Sequence, residues 1–356
     1  MSTIAVNAIT DASGGNTASI NGATPTTDNL IGRNRIINGN FDIWQRGTSQ
    51  TTAGYGSADR WGNNHSGSTK TTSQQDFAID QTDVPNNPKY FMRTVVTTAN
   101  SSSNYVQSKQ AIEDLRQFSG ETVTLSFWAK ADATKNIAVE FRQDEDDGSG
   151  SVSHYHSVSL TTSWQKFTIT QTITAIPSGV TLGVNNNLAL VFWFDAGSNF
   201  TSINPITGSQ SGTFDIAQVQ LEAGSVATSF ERRSYGQELA LCQRYYQAYS
   251  RYEEFVQAQV TSSSAATASF GFIQPMRTSP TVTLAAAGSS TGQIAFLTAT
   301  GSYPAVIGSH SALSITTYGF RILGTGYTAS GWAAGAATSM YAQSNPTTVV
   351  QASAEL

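Results

Sequence analysis

Four residues stand where a flat, hydroxylated ligand could be held: Trp128, Trp193, Glu140 and Arg142. Each belongs to a stretch in which apolar residues alternate with others, and each falls opposite the apolar side. In "ETVTLSFWAKA", Val123, Leu125, Phe127 and Ala129 share one side, while Trp128 falls on the other with Thr124, Ser126 and Lys130. In "NIAVEFRQ", Ile137, Val139 and Phe141 leave Glu140 and Arg142 on the second side. In "LALVFWFDAG", Leu188, Leu190, Phe192 and Phe194 face away from Trp193. Aromatic planes suit the C–H faces of a sugar, and planar polar side chains suit its hydroxyls. An aromatic outer face equally suits a covering loop or a second subunit, so both readings stand.

Other chemistry-bearing patterns are weaker. His154 and His156 share one strand face. Copies gathered around an axis could hold a metal through them, and polar decoration of a strand is the alternative. "DEDDG" at Asp144–Gly148 imitates a calcium loop, but Asp147 is one step out of phase and Tyr155 stands where the bidentate glutamate belongs. A solvated hairpin turn is expected there. Tyr55, Arg60, Trp61 and His65 cluster in a glycine-rich stretch. The sequence contains no GxSxG, HExxH or phosphate-loop pattern. Acids crowded on one turn stay solvated instead of tuned as a hydrolytic pair. The chain is therefore expected not to be an enzyme.

These residues need a scaffold, and the composition points to sheets. Of 356 residues only 12% are charged, about half the usual share. Ser, Thr, Asn, Gln and Gly take their place and favour turns and exposed sheet faces over helices. With hydrophobic residues at 39% and aromatics at 10%, cores are affordable and wholesale disorder is excluded. A net charge of -5 disfavours a nucleic-acid partner. Cys242 is alone, so neither an intrachain disulfide nor a cysteine zinc site is expected. "MSTIAVNAIT" lacks the regions of a signal peptide, and no apolar run approaches a membrane span.

The pattern divides the chain into four parts. Residues 1–32 read as an extended arm. Residues 33–232 carry many short strands with turn chemistry between them, which predicts an all-β, two-sheet sandwich. The slip in alternation between Ile216 and Val219 predicts a bulge in the last strand. "NGNFDIWQ" begins the sandwich and "FDIAQVQLEAG" ends it, and the two are expected to meet. Ser234 and Gln237 fit a capping box, and Leu239, Cys242, Tyr246 and Tyr249 form a helical stripe. A connecting helix is therefore predicted over 233–255. Residues 256–356 return to strand patterns, a small β domain thin in large aliphatics and expected to bury surface against neighbours.

In order along the chain, "RNRIINGNFDIWQRG", "YGSADRW", "VTLSFWAKA", "TSWQKFTIT", "FDIAQVQLEAGSVATSFERRSYGQELALCQRYYQ" and "GFIQPMRTSPTVTL" resemble a recurring series in bacteriophage tail-fibre and related virion proteins. The resemblance covers about residues 33 to 285. It implies a jelly roll similar to carbohydrate-binding modules, a homotrimer in the virion, and attachment to a host-surface glycan or envelope component. It also implies synthesis in the host cytoplasm. Within it, Asp59, Arg60 and Trp61 read as structural. The opening "STIAVNAITDASG" looks like a fibre anchoring segment, which would make Ile4, Val6 and Ile9 contacts to other virion proteins. Related modules often carry a structural calcium, for which Asp42, Asp215 and the Asn38 carbonyl could supply oxygens. The paired acids such modules show are missing from "FDIAQ". The alternatives are an adaptor that binds only virion proteins, and a polysaccharide-degrading spike.

Overall fold

The computed structural model describes residues 32–146, 151–249, 253–285, 294–296, 309–326, 332–342 and 350–356. The arm bearing Ile4, Val6 and Ile9 lies outside these residues. The chain forms two compact units, one ending at Ser234 and including Leu356, the other Tyr235–Glu355.

Among the described residues the first unit has twelve strands: β1 Ser49–Gln50, β2 Gly54–Tyr55, β3 Gly62–Ser66, β4 Thr69–Asp76, β5 Tyr90–Thr97, β6 Tyr105–Glu113, β7 Thr122–Ala131, β8 Lys135–Asp144, β9 Ser151–Leu160, β10 Gln165–Thr172, β11 Asn187–Ala196 and β12 Gly212–Ala223. They form two six-stranded antiparallel sheets, β1-β4-β5-β12-β7-β10 and β2-β3-β6-β11-β8-β9. Between them lies one apolar core. Val123, Leu125 and Phe127 of β7 meet Ile137, Val139 and Phe141 of β8 and Leu188, Leu190, Phe192 and Phe194 of β11 there. Each such side chain, fully removed from water, contributes about 1.5–3 kcal/mol. The all-β class read from the sequence is the observed one.

The leading segment joins the last strand as expected. Arg35 N donates to Leu221 O at 2.8 Å, and Val219 N to Gly39 O at 2.8 Å. Asn34 Nδ2 donates to Val219 O at 3.3 Å, and its Oδ1 accepts from Leu221 N at 3.1 Å. Gly39 is required by this approach, because a Cβ there would lie 2.1 Å from Val219 O. The predicted bulge is present: the β12–β7 register shifts between Ala217 and Gln220, with Gln218 at φ 48°. Glu231 closes the unit, its two carboxylate oxygens accepting from Gly32 N at 2.6 Å and Asn34 N at 2.8 Å. Trp61 is fully buried beside Phe41 and Phe192, with Nε1 donating to Asn38 O at 3.3 Å. It is a core residue.

A short helix, α1 Asn204–Thr207, follows β11 and starts with a proline in its first turn. Helix α2, Tyr235–Gln243, opens the second unit just after Ser234. Here the structure departs from the helix predicted over 233–255. The chain turns after Gln243 and continues as β13 Tyr246–Tyr249 and β14 Glu253–Ser262. Tyrosines fit a pleated surface at least as well as a helix. Pairing of Tyr246–Tyr249 with a strand near the C-terminus overrides the helical stripe.

The remaining strands are β15 Ala265–Gly271, β16 Thr281–Leu284, β17 Ile294–Phe296, β18 Ser309–Leu313, β19 Gly319–Thr325, β20 Ala337–Ala342 and β21 Val350–Ser353. They build the sheets β13-β21-β16 and β17-β20-β14-β15-β19-β18. Val260, Phe270, Phe296, Phe320, Ile322, Met340 and Val350 form the core of this unit.

Candidate functional site

The four shelf residues divide between two faces. β7 and β8 are consecutive but belong to different sheets, so their outward faces point to opposite sides of the sandwich. Glu140, Arg142 and Trp193 share the outer face of the β2-β3-β6-β11-β8-β9 sheet. Trp128 lies half-buried on the other sheet, paired in register with Ala217 and Lys166.

Strand register sets out the first face as three rows. One runs Tyr55, Gly62, Lys109, Val191, Glu140, Tyr155. The next runs Asn64, Gln107, Trp193, Ala138, Ser157, and the third Ala111, Ala189, Arg142, Ser153. Gly62, Ala111, Ala189, Val191 and Ala138 stand at the base of these rows, and Ala138, Ala189 and Val191 are themselves buried in one cluster with Trp193 and Ile203. Tyr55 and Tyr155 stand at the two ends of the first row, both half-buried. A Cβ on Gly62 would touch the Tyr55 ring at 3.4 Å, so the ring rests over the glycine. The Arg46 guanidinium sits 5.5 Å from the centre of that ring, a cation–π arrangement.

Trp193 is only 6% exposed. Its Nε1 donates to Glu140 Oε2 at 2.8 Å, and Ser153 Oγ donates to Glu140 Oε1 at 2.7 Å. Tyr105 and Phe200 pack on the indole at 5.9 and 5.4 Å, and Ile203 and Ile206 complete the cluster. Thus the segment after β11 covers Trp193, which offers no open ring to a ligand. Of the two readings open from the sequence, the covering loop holds for this residue. Glu140 is correspondingly engaged as the acceptor that orients the indole.

The partly exposed residues of the face are polar. Beneath them Gln107 is 9% exposed, and its buried Oε1 accepts no hydrogen bond among the described residues. A buried acceptor left unmatched costs about 1–3 kcal/mol. Lys109 and Arg142, both half-buried, form neither a hydrogen bond nor an ion pair among the described residues. Burial pushes the Lys109 ammonium below the usual lysine range, and the charge of Arg142 pushes it further; Asp144 and Glu140 act against this.

The outer face of the other sheet is internally paired. Arg93 grips Asp215 through two bonds of 2.7 and 2.8 Å, and Lys130 Nζ lies 3.9 Å from the same carboxylate. Lys130 also sits 5.3 Å from the centre of the Trp164 ring, which packs against Phe77 and Phe91.

The three expected calcium oxygens are each engaged elsewhere. Asp215 is held by Arg93. Asn38 donates to Ile43 O and Asp59 O, and its own carbonyl accepts from Trp61 and from Phe41 N. Asp42 accepts from Asn40 Nδ2 at 2.9 Å. Among the described residues no group of three or more His, Cys, Asp or Glu side chains converges as metal ligands. His154 and His156 point to the seam between the sheets, not outward. His154 Nε2 meets Thr174 Oγ1 at 3.1 Å, and His156 Nε2 meets Gln171 Oε1 at 2.8 Å.

Sequence reading missed Gln107 and Lys109. Their strand, "YVQSKQAIE", buries Ser108 and Gln110 on its core side. Alternation of polarity could not separate its two faces.

In class, then, this is an all-β chain whose first unit pairs two six-stranded sheets, and similar solved structures include carbohydrate-binding modules. One is a CBM4 module: 19% identity, covering 52% of this chain and 98% of that one, TM-score 0.33. Another is the family 11 module of the cellulosomal cellulase Lic26A-Cel5E of Clostridium thermocellum: 14% identity, 51% and 98% coverage, TM-score 0.32. A third is the enzymatically active domain of bacteriophage CBA120 tailspike protein 4: 14% identity, 54% and 22% coverage, TM-score 0.34. No protein-family model matches the chain, and no curated protein does. None of these likenesses bears on the residues of the site.

Proposed function

We propose that the chain is a non-catalytic glycan-binding protein of a bacteriophage virion, of the tail-fibre type, and that the outer face of the β2-β3-β6-β11-β8-β9 sheet holds the glycan. The partly exposed pair Lys109 and Arg142 carries this reading: two polar side chains on the outer face, one of them in the row that runs from Tyr55 to Tyr155, without a hydrogen bond or ion pair among the described residues and so open to the oxygens of a sugar. The virion assignment rests on the sequence resemblance, as do trimerisation and anchoring through residues 1–32. Several weak sites on one fibre would act together, tethering raising avidity by roughly 10²–10⁴.

A glycan array probed with the purified chain tests it. Retention of particular glycans without released product is expected, with the Lys109→Ala, Arg142→Ala double variant lowering it about 10-fold. Product release would instead identify a degrading spike. No retention, with binding confined to other virion proteins, would identify an adaptor.

A further inference from the structure

The same face bears on what kind of glycan it accepts, a question that rests on the glycan-binding reading above. Lys109 and Arg142 occupy adjacent rows on strands separated by β11. The β11 residues between them are Ala189 and Val191, too short to rise and separate the two cations. Neither cation forms a hydrogen bond or ion pair with a protein group among the described residues, although the charges of Asp144 and Glu140 reach Lys109. Of the neighbouring carboxylates, Glu140 accepts from Trp193 and Ser153 through both oxygens, and Asp144 Oδ1 accepts from Asp146 N at 3.1 Å. Two neighbouring positive groups repel each other, and burial of Lys109 sharpens that repulsion. An arginine fork takes a carboxylate through two parallel bonds, and an ammonium adds a point charge.

We infer that this face selects acidic glycans, seating a uronate carboxylate between Lys109 and Arg142. Selection is local, because the protein as a whole carries a net charge of -5 and its overall field repels anions. The tyrosines at the two ends of the first row contribute apolar contact, and the cations set the class of sugar.

The test is an array of matched pairs, each a uronate-bearing glycan and its carboxyl-reduced form, with neutral and phosphorylated glycans alongside. Retained glycans are expected to carry the carboxylate, with carboxyl reduction lowering affinity at least 10-fold. Arg142→Gln and Lys109→Gln are each expected to lower it similarly, and binding to weaken as salt rises. Both side chains are partly exposed and bond to nothing described, so the variants should unfold at the wild-type urea midpoint, which checks the fold. Equal binding of both members of a pair overturns the inference, as does retention of neutral or phosphorylated glycans alone, and glycan binding itself survives either result. Unchanged uronate binding by both folded variants also overturns it. If no glycan of any class is retained, the glycan-binding reading fails and the inference with it.

Discussion

Asp195 offers a sharp test of how the first unit holds the segment that covers Trp193. It is fully buried. A bulge in β11 between Trp193 and Asp195 sets its position. One carboxylate oxygen accepts from Ser68 Oγ and Asn104 Nδ2, both at 2.5 Å. The other accepts from Thr98 Oγ1 at 3.1 Å and Gln210 N at 2.9 Å. Asp195→Asn keeps the shape but leaves one acceptor oxygen. Whichever way the amide turns, its NH2 faces an N–H donor, either Asn104 Nδ2 or Gln210 N. Two charge-assisted bonds are lost, at about 1.5–3 kcal/mol each, so destabilisation of about 3–6 kcal/mol follows. With an m-value of about 2 kcal/mol/M, the urea midpoint falls by roughly 2 M. The assay is urea unfolding followed by tryptophan fluorescence and far-UV circular dichroism. The segment over Trp193 leaves β11 beside this carboxylate, so indole emission should also shift to the red below the transition. A midpoint within roughly 0.3 M of wild type would refute the claim that this carboxylate is the anchor.

Three other changes have definite expected outcomes. Gly39→Ala drives a methyl into Val219 O and should destabilise by about 3 kcal/mol or prevent folding; soluble yield and the urea midpoint check it. Lys70 is buried, donates to Thr52 O, and burial lowers its pKa from 10.5 to about 8. Between those values the unfolded chain binds more protons, so this lysine makes stability rise with pH across that window. Lys70→Met should flatten the rise and add about 1–2 kcal/mol near pH 7 after allowance for solvent screening; urea midpoints from pH 7 to 10 measure it. His154→Ala with His156→Ala removes both seam contacts and should lower stability by about 1–2 kcal/mol, while a zinc titration of wild type should leave the midpoint unmoved.

The fold was legible wherever one strand face is purely apolar. β7, β8 and β11 each bury a clean alternating set, so their limits and faces follow from the sequence. β6 was not legible, because Ser108 and Gln110 are satisfied inside the sandwich: Ser108 Oγ donates to Asn63 Oδ1, and Gln110 Nε2 to Ile37 O. The candidate site suffered from a subtler loss. Alternation says which residues face away from the core, but not which sheet a strand joins. The β7-to-β8 connection changes sheet, so Trp128 and Glu140 could not be separated without topology. Nor does alternation reveal that Phe200, Ile203 and Ile206 fold back over Trp193. The helix was overextended for a related reason: the β21 partner of Tyr246–Tyr249 lies about a hundred residues away, beyond the reach of any local period.

The Glu231 carboxylate has a mechanical consequence. It binds the backbone at the start of the described part of the first unit, at Gly32 and Asn34, from the point where that unit is about to end. A pull transmitted along the polypeptide would therefore enter and leave the sandwich at nearly one spot. The load would fall on this clasp and on the short pairing of Arg35 and Gly39 with β12, sparing the β2-β3-β6-β11-β8-β9 sheet. The module would hang from the line of tension like a bead on a loop, keeping its sheets in shape while the thread is stretched.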